Sequence, residues 1–362
     1  MKRKGQKREM TALLTAAMLA LAAPVTVLAE EPVLEITEQG PAAGISESTA
    51  AVASSESAAA GQTENAAVQE TTAVQESTAA AASASSTGTC SVNLAKLTND
   101  GSTQSIGSSI DSKYAVVFDL DENRIVAEKN ADAQVYPASM TKIMTLLVCA
   151  EHLPDLTEKL TITQDIVDYI NAHDASNCGF AAGEQVTVKD LLYGVIMPSG
   201  ADAVMALTRR IAGSDAAFVE MMNQKAKELG LSDGAHFVNA TGLYNAEHHL
   251  TVKDVAQILN AAMANATARE VLSAHTYQTE NTNKHSSGIK FSNLFLRRIE
   301  DQKLGGATVV AAKTGYVSQS MFCAASYGTS ASGKHYIVVT DHGSSTWQCI
   351  YDQAALYSAY AK

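Results

Sequence analysis

The stretch Tyr136-Pro-Ala-Ser-Met-Thr-Lys-Ile-Met-Thr-Leu-Leu-Val148 places a serine and a lysine three residues apart where an apolar helical pattern begins. The pattern opens at Pro137, runs to about His152 and is apolar nearly all round, which predicts a helix buried in the centre of a domain. Residues i and i+3 share a helix face, so the Ser139 hydroxyl and the Lys142 amine can meet. A serine needs a base to become nucleophilic, and a lysine that burial and a nearby cation keep neutral can supply it.

Strands are predicted on both sides of a mostly helical middle. Tyr114–Phe118 and Arg124–Ala127 flank a turn and form a hairpin before the buried helix. Capping patterns at Thr187 and Thr251 begin helices in the middle, and another helix is expected over Ala201–Ile211. Three apolar, β-rich runs and a final helix follow, at 307–312, 321–327, 336–340 and 346–360. This order predicts an α+β fold, with an antiparallel sheet from both chain ends packed against the helical middle.

Residues 1–29 have the layout of a secretory signal peptide. A basic start at 2–8 precedes an apolar run from Ala12 to Ala29, which ends in the small-x-small pattern Val27-Leu28-Ala29. The alternative is a transmembrane anchor, because the run has about the minimum length that spans a bilayer, although Pro24 interrupts it. We expect cleavage after residue 29 and therefore an exported protein.

Residues 30–103 are predicted to form a disordered linker, and residues 104–362 a globular domain. The linker is rich in Ala, Ser, Thr, Glu and Gln, and it has too few large apolar side chains to repay the entropy of ordering. An alanine-rich helix is the alternative, which the Ser and Thr content weakens. Residues 1–29 carry net +4 and residues 30–76 net −9, which leaves −7 of the chain's −12 for the remainder. An acidic domain argues against binding to nucleic acid.

Two further triplets complete a set that is associated with acyl transfer. Ser199-Gly-Ala201 lies in a predicted loop between two helices, and Lys313-Thr-Gly315 follows an apolar strand. Each triplet alone is common, and Ser287-Gly-Ile-Lys290 repeats the serine–lysine spacing in a polar stretch without a helix signal. Three triplets in this order, each in the expected structural context, indicate a serine enzyme of acyl transfer.

Four segments together resemble the D-alanyl-D-alanine carboxypeptidases among the low-molecular-weight penicillin-binding proteins. They are Tyr136-Pro-Ala-Ser-Met-Thr-Lys142, Met197-Pro-Ser-Gly-Ala-Asp-Ala203, His236-Phe-Val-Asn-Ala-Thr-Gly-Leu243 and Lys313-Thr-Gly-Tyr316. The resemblance covers roughly residues 112–362 and implies a β-lactamase/transpeptidase-like fold. It also implies an enzyme that removes the terminal D-alanine from peptidoglycan stem peptides through an acyl-enzyme.

The resemblance implies partners and a location as well. The expected substrate is a stem peptide ending in D-Ala-D-Ala, and β-lactam antibiotics are expected to inhibit covalently. Such an enzyme serves cell-wall biogenesis and cell shape as a secreted, wall-associated protein, and we expect no permanent membrane anchor. No cofactor or metal is expected, because His236, His248 and His249 lack the helix-face spacing of a zinc site. We interpret these histidines as part of a structural loop near the site.

By the same resemblance, Ser139 is the nucleophile, Lys142 is its base, and Ser199 relays a proton to the leaving amine. The expected substrate-binding residues follow one another along a strand: Lys313, Thr314, Gly315 and Tyr316. Lys313 would hold the substrate carboxylate and help to keep Lys142 neutral. Backbone N–H groups of Ser139 and Tyr316 would form an oxyanion hole, which meets charge that develops only in the transition state.

One position departs from the family pattern, because Ala201 stands where the family usually has asparagine. Loss of one hydrogen bond to a charged group costs roughly 1.5–3 kcal/mol, or about 10- to 150-fold in rate. Asp202 is adjacent, but its helical direction differs, so we do not expect it to substitute. Two alternatives stay open: a non-catalytic or weakened penicillin-binding wall protein, and a serine β-lactamase, which needs a glutamate for deacylation.

The chain has five cysteines: Cys90, Cys149, Cys178, Cys323 and Cys349. None forms a C-x-x-C pair, which argues against a zinc ribbon. Cys149 is predicted to be a small core residue of the buried helix. Export permits disulfides, and the sequence leaves a Cys323–Cys349 bridge open. The single tryptophan, Trp347, is expected to pack the last helix.

Overall fold

The computed structural model describes residues 92–362 of the 362-residue chain. The predicted signal peptide, the predicted linker up to residue 91 and Cys90 lie outside the described residues. Within residues 92–362, no helix is long and apolar enough to cross a membrane.

The longer strands lie on both sides of a mostly helical middle, as the sequence pattern predicts, and short two- and three-residue strands interrupt the helices. The α-helices are α1 Thr141–His152, α2 Gln164–His173, α3 Val188–Ile196, α4 Ala201–Ala212, α5 Asp215–Glu228, α6 Val252–Ala264, α7 Ala266–Leu272, α8 Leu294–Ile299 and α9 Thr346–Tyr360. The strands are β1 Gln104–Ser105, β2 Tyr114–Asp119, β3 Arg124–Lys129, β4 Gln134–Val135, β5 Lys159–Thr161, β6 Gln185–Thr187, β7 Leu250–Thr251, β8 Thr276–Gln278, β9 Lys290–Ser292, β10 Thr308–Val317, β11 Met321–Thr329 and β12 His335–Gly343. Two short 3-10 turns, Leu94–Lys96 and Ala138–Met140, complete the elements that bear on the site.

The main sheet has six strands in the order β1-β3-β2-β12-β11-β10, so both ends of the chain build it. The five strands from β3 to β10 pair antiparallel, and β2 lies beside β12 with Phe118 opposite Ile337. The α+β prediction is confirmed. The sheet is mixed rather than purely antiparallel, because the two-residue strand β1 pairs parallel with β3 at one edge.

Alternating side chains of the sheet enter two separate cores. Val116 and Phe118 of β2 face one core, together with the buried residues of α1 and α6. Ala115 and Val117 face the other core, which α8 and α9 cover. This is the two-residue period of a strand that is buried on both faces. Helix α1 is buried from Thr141 to Cys149, as its all-round apolar pattern predicts.

The predicted helix caps are present in the structure. The Thr251 side chain accepts from the Asp254 N–H while Asp254 accepts from the Thr251 N–H, which completes a capping box at α6. Thr187 accepts from the Asp190 N–H at the start of α3. These caps fix where the helices of the middle region begin.

The first described residues, before β1, contact the folded domain. Leu94 is buried, and its N–H donates to Gln257 Oε1 at 2.9 Å. The Asn93 amide donates to the Gly230 carbonyl at 2.8 Å. The turn Leu94–Lys96 is too short to show a helical or strand period, and therefore the sequence pattern does not predict this contact.

One smaller expectation is also corrected, and the question of a disulfide is answered. Trp347 is 44% exposed and stacks on Tyr351 instead of packing α9 against the sheet. The α9 side chains that enter the core are others, such as Leu356 and Tyr357. The four cysteines within residues 92–362 are all free and buried, so the structure contains no Cys323–Cys349 bridge.

We expect Leu94→Ala to lower the free energy of unfolding by about 2–5 kcal/mol, because it empties a buried site between the first turn and α6. Lys96→Ala, on the exposed side of the same turn, is the matched control and should change it little. Urea denaturation of both variants measures the effect. Equal stability of Leu94→Ala and the unaltered protein would show that the turn does not anchor the domain.

Candidate active site

Ser139 lies in the 3-10 turn Ala138–Met140, which leads directly into α1. Ala138 and Met140 are buried, whereas Ser139 is only half-buried, so the serine is the accessible residue of the turn. Ala138 has φ 46°, a left-handed conformation that is rare for a residue with a side chain. Such backbone strain persists only where the surrounding structure enforces it, and it clusters at functional sites.

Two glycines allow other segments to approach this turn. A Cβ atom on Gly315 of β10 would lie 2.8 Å from the Ser139 backbone nitrogen. A Cβ atom on Gly242 would lie 1.9 Å from the Ala138 carbonyl oxygen. Because no larger residue fits at either place, the sheet edge and the segment that carries Gly242 both contact the serine turn.

The segment that carries Gly242 is a closed loop, which we call the 236–249 loop. Backbone hydrogen bonds join His236 N–H to His249 O at 2.9 Å and His249 N–H to His236 O at 3.1 Å. Inside the loop, Asn239 Oδ1 accepts from the Gly242 N–H at 2.7 Å, and its amide donates to the Leu243 carbonyl. The Asn239 side chain thereby fixes the turn that faces α1.

Lys142 bridges the serine turn and the 236–249 loop. Its Nζ lies 3.2 Å from Ser139 Oγ and donates to the Thr241 carbonyl at 2.6 Å. The side chain is only 3% exposed. One turn further along α1, Thr145 Oγ1 donates to the Ala240 carbonyl at 2.7 Å. The i, i+3 spacing of serine and lysine therefore yields a direct contact in a nearly water-free place.

The environment of Lys142 favours its neutral form. Burial and then the positive charge of Lys313 hold the pKa of Lys142 well below its usual 10.5, while the smaller effects of Cys178 and Asp202 raise it. A neutral amine keeps a lone pair that can accept the proton of the Ser139 hydroxyl. The site thus has the elements of an activated serine.

Ser199 and Lys313 form the second pair of the site. Lys313 Nζ donates to Ser199 Oγ at 3.1 Å and to the Thr314 carbonyl at 2.8 Å. Ser199 has φ 61°, and it lies in the loop between α3 and α4. Lys313 is 3% exposed, and burial lowers its pKa to about 8. At neutral pH Lys313 is therefore mostly charged, and its charge favours the neutral form of Lys142.

Strand β10 presents the remaining predicted residues at the end of the sheet. It pairs with β11 on one side, and none of the described strands pairs with its other side. Thr314 and Tyr316 are exposed, Tyr316 by 42%, and Gly315 lies against the serine turn. An unpaired strand edge can bind an extended peptide through its backbone. The second serine–lysine copy, Ser287 to Lys290, has both of these residues exposed.

Ala201 is buried at the start of α4, where its N–H donates to the Ser176 carbonyl at 2.8 Å. The Asp202 carboxylate accepts from the Cys178 N–H at 2.9 Å and from the Ala203 N–H at 2.9 Å. Asp202 is thus engaged in holding backbone, and no hydrogen bond joins it to Lys142 among the described residues. The carbonyl of Thr241 is the polar partner of Lys142 that the sequence did not reveal.

Comparison with known proteins identifies the family. A family model described as D-alanyl-D-alanine carboxypeptidase, Peptidase_S11, matches residues 99–342. The chain belongs to this family. Its S11 match begins before residue 104, in agreement with the folded segment that precedes β1.

The S11 relatives come from several bacteria. The D-alanyl-D-alanine carboxypeptidase DacF of Bacillus subtilis is 32% identical over 214 residues, which are 59% of this chain and 53% of DacF. The D-alanyl-D-alanine carboxypeptidase of Streptomyces sp. strain K15 is 36% identical over 166 residues, 44% of this chain and 57% of that protein. The match therefore spans about half the length of these curated relatives.

Two solved structures support the same assignment. The Streptomyces K15 DD-transpeptidase superposes with a TM-score of 0.62 and 26% identity, over 69% of this chain and 97% of that chain. Penicillin binding protein 5 of Haemophilus influenzae superposes with a TM-score of 0.61 and 27% identity, over 68% of this chain and 70% of that chain. The predicted transpeptidase-like fold is confirmed.

We expect the rate of covalent acylation by penicillin to fall above about pH 8, the pKa of Lys313. We expect the Lys313 charge to hold the penicillin carboxylate, so loss of this charge should remove the partner of that carboxylate. In Lys313→Arg the guanidinium stays charged beyond about pH 12, so this alkaline limb should disappear even if the maximal rate is lower. Lys303→Arg, at an exposed lysine, is the control. An unchanged limb near pH 8 in Lys313→Arg would assign it to another group.

Proposed function

We propose that the chain is a serine-type D-Ala-D-Ala carboxypeptidase, which removes the terminal D-alanine of peptidoglycan stem peptides through an acyl-enzyme. One observation carries the proposal: Ser139 Oγ lies 3.2 Å from the amine of a buried lysine whose pKa is well below its usual range. A serine beside a neutral amine is poised for nucleophilic attack. Membership of the S11 family supports the choice of substrate.

In the proposed acylation step, the Lys142 lone pair accepts the Ser139 hydroxyl proton while Oγ attacks the carbonyl of the penultimate D-alanine. The carbonyl oxygen becomes an oxyanion, and the backbone N–H groups of Ser139 and Tyr316 are proposed to stabilise it. The closeness of Gly315 to the Ser139 nitrogen supports this role, because it brings β10 beside the serine turn. Such donors act where charge develops, and removing one typically costs about 100- to 1,000-fold in rate.

Ser199 and Lys313 are proposed to handle the leaving D-alanine. Lys313 holds its carboxylate by charge, and Thr314 and Tyr316 bind the substrate along β10. Since Lys313 donates to Ser199 Oγ, the hydroxyl of Ser199 keeps its own proton to give to the departing amine. The C–N bond breaks as the amine takes this proton, and Ser199 regains one from Lys142. Lys142 is then neutral again, and Ser139 regains its proton when water hydrolyses the ester.

The acceptor of the acyl group is open to a direct test. The superposed Streptomyces K15 protein is named a DD-transpeptidase, and a transpeptidase passes an acyl group to an amine rather than to water. Adding an amino acceptor such as glycine to the assay separates the two outcomes by product mass. We propose water as the acceptor, in keeping with the family description.

We also propose the organisation of the whole chain. Residues 1–29 form a signal peptide, and the polar segment that follows joins it to a domain that begins near residue 92 and not at 104. The protein then acts outside the cell, at the wall. The basic start, the apolar run and the cleavage-like site at Ala29 support export.

We expect fluorescent penicillin to label the protein covalently, and Ser139→Ala to abolish the label. Ser287→Ala is the matched control and should label normally, because its serine–lysine pair is exposed. The unaltered protein should also release D-alanine from a peptide ending in D-Ala-D-Ala, and Ser139→Ala should release none. Denaturing gels and a D-alanine assay measure the two results.

Each alternative has its own outcome in these assays. Stable penicillin labelling without D-alanine release would favour a non-catalytic wall protein. Rapid hydrolysis of a chromogenic β-lactam would favour a β-lactamase. Equal labelling of Ser139→Ala and the unaltered protein would remove Ser139 as the nucleophile.

A further inference from the structure

One buried contact at the active-site helix has no place in the proposed chemistry. Thr141 lies between Ser139 and Lys142, and its Oγ1 is 2.9 Å from His248 Nε2. Thr141 is fully buried and His248 is 2% exposed. The pair joins the first residue of α1 to His248 near the base of the 236–249 loop, 107 residues along the chain.

The direction of this hydrogen bond follows from the other ring nitrogen. The Val238 N–H donates to His248 Nδ1 at 3.2 Å, so Nδ1 carries a lone pair and no proton. The proton of the neutral ring is then on Nε2, which donates to Thr141 Oγ1. Burial, followed by the charges of His236 and His249, lowers the pKa of His248 to about 4. The Phe237 ring packs edge-on against the His248 imidazole, with the ring centroids 5.5 Å apart, and limits its rotation.

Three successive contacts attach α1 to the 236–249 loop within about one helical turn. His248 binds Thr141, Lys142 binds the Thr241 carbonyl, and Thr145 binds the Ala240 carbonyl. The last two contacts use backbone carbonyls of the loop, and only the first depends on a loop side chain. The loop is closed at its base, so it acts as one body against the helix.

We propose that His248 is a positioning residue: its Nε2–H bond to Thr141 sets the rotation of the first turn of α1, and with it the Ser139 Oγ to Lys142 Nζ distance. The consequence for rate rests on the proposed acyl-transfer function of Ser139. Thr141 is the residue between nucleophile and base, so a rotation of its backbone moves both groups. Small displacements of reacting groups cost large factors in rate.

Two amide substitutions of His248 test the roles of its two ring nitrogens separately. His248→Gln can keep a donor near the Nε2 position, whereas His248→Asn keeps a polar atom near Nδ1 and cannot reach Thr141. Thr141→Ser keeps the acceptor, and Thr141→Val removes it at constant shape. His249→Gln, which changes the neighbouring histidine without touching Thr141, is the matched control.

We expect His248→Asn and Thr141→Val each to slow acylation by fluorescent penicillin about tenfold, the effect of one lost hydrogen bond. His248→Gln and Thr141→Ser should recover most of the rate, and His249→Gln should match the unaltered protein. The double variant His248→Asn/Thr141→Val should be no slower than either single one, since both break the same contact. Rates are measured on folded protein, with the thermal midpoint recorded for each variant.

A role in stability alone would lower the thermal midpoint of His248→Asn and leave its acylation rate intact, and that result would overturn the proposal. Nitrogen NMR of labelled histidine gives a test that needs no activity. We expect Nε2 of His248 to carry the proton at about pH 7, well above its lowered pKa, and a proton on Nδ1 would overturn the proposal even if the protein acylates nothing. Absence of D-alanine release with the expected acylation rates would instead count against the proposed function alone.

Discussion

Two amines lie buried in one site, where burial and mutual repulsion disfavour the charged forms, and the proposed chemistry depends on this constraint. Lys142 and Lys313 are each 3% exposed, and burial lowers the pKa of both. The charge of Lys313 then lowers the pKa of Lys142 further. The neutral form is therefore favoured more strongly at Lys142 than at Lys313, although both have the same side chain. The difference comes from position, since Lys142 is embedded in a helix that is buried all round and Lys313 lies on an edge strand.

The fold brings these two environments together at Ser139. Helix α1 belongs to the core between the sheet and the helical middle, and β10 is the outermost strand of the sheet. Glycines at 242 and 315 let the 236–249 loop and β10 reach the serine turn from their own sides. Ala201 offers Lys142 no side-chain hydrogen bond, and the polar partner of Lys142 in the 236–249 loop is the Thr241 carbonyl.

The sequence predicts the parts of this site that have a local signature. The buried helix follows from apolar side chains on all its faces, the strands from β-rich runs, and the caps from threonine–aspartate spacing. The Thr241 carbonyl could not be predicted, because a backbone group leaves no residue pattern. His248 looked like an ordinary loop histidine, since its partner Thr141 is 107 residues away. Three further features could not be predicted for the same reason: the burial of Leu94, the parallel pairing of β1 and the exposure of Trp347. Each depends on a tertiary contact and not on periodicity.

The charge assignment of the two lysines is open to direct measurement by NMR titration of protein with isotope-labelled lysine side chains, using Lys142→Met and Lys313→Met to assign the signals. We expect the Lys142 amine to be neutral at about pH 7 and the Lys313 amine to titrate near pH 8. In Lys313→Met the pKa of Lys142 should rise, because the neighbouring cation is gone. A Lys142 amine that is protonated at neutral pH in the unaltered protein, or that does not respond to the loss of Lys313, would contradict the account.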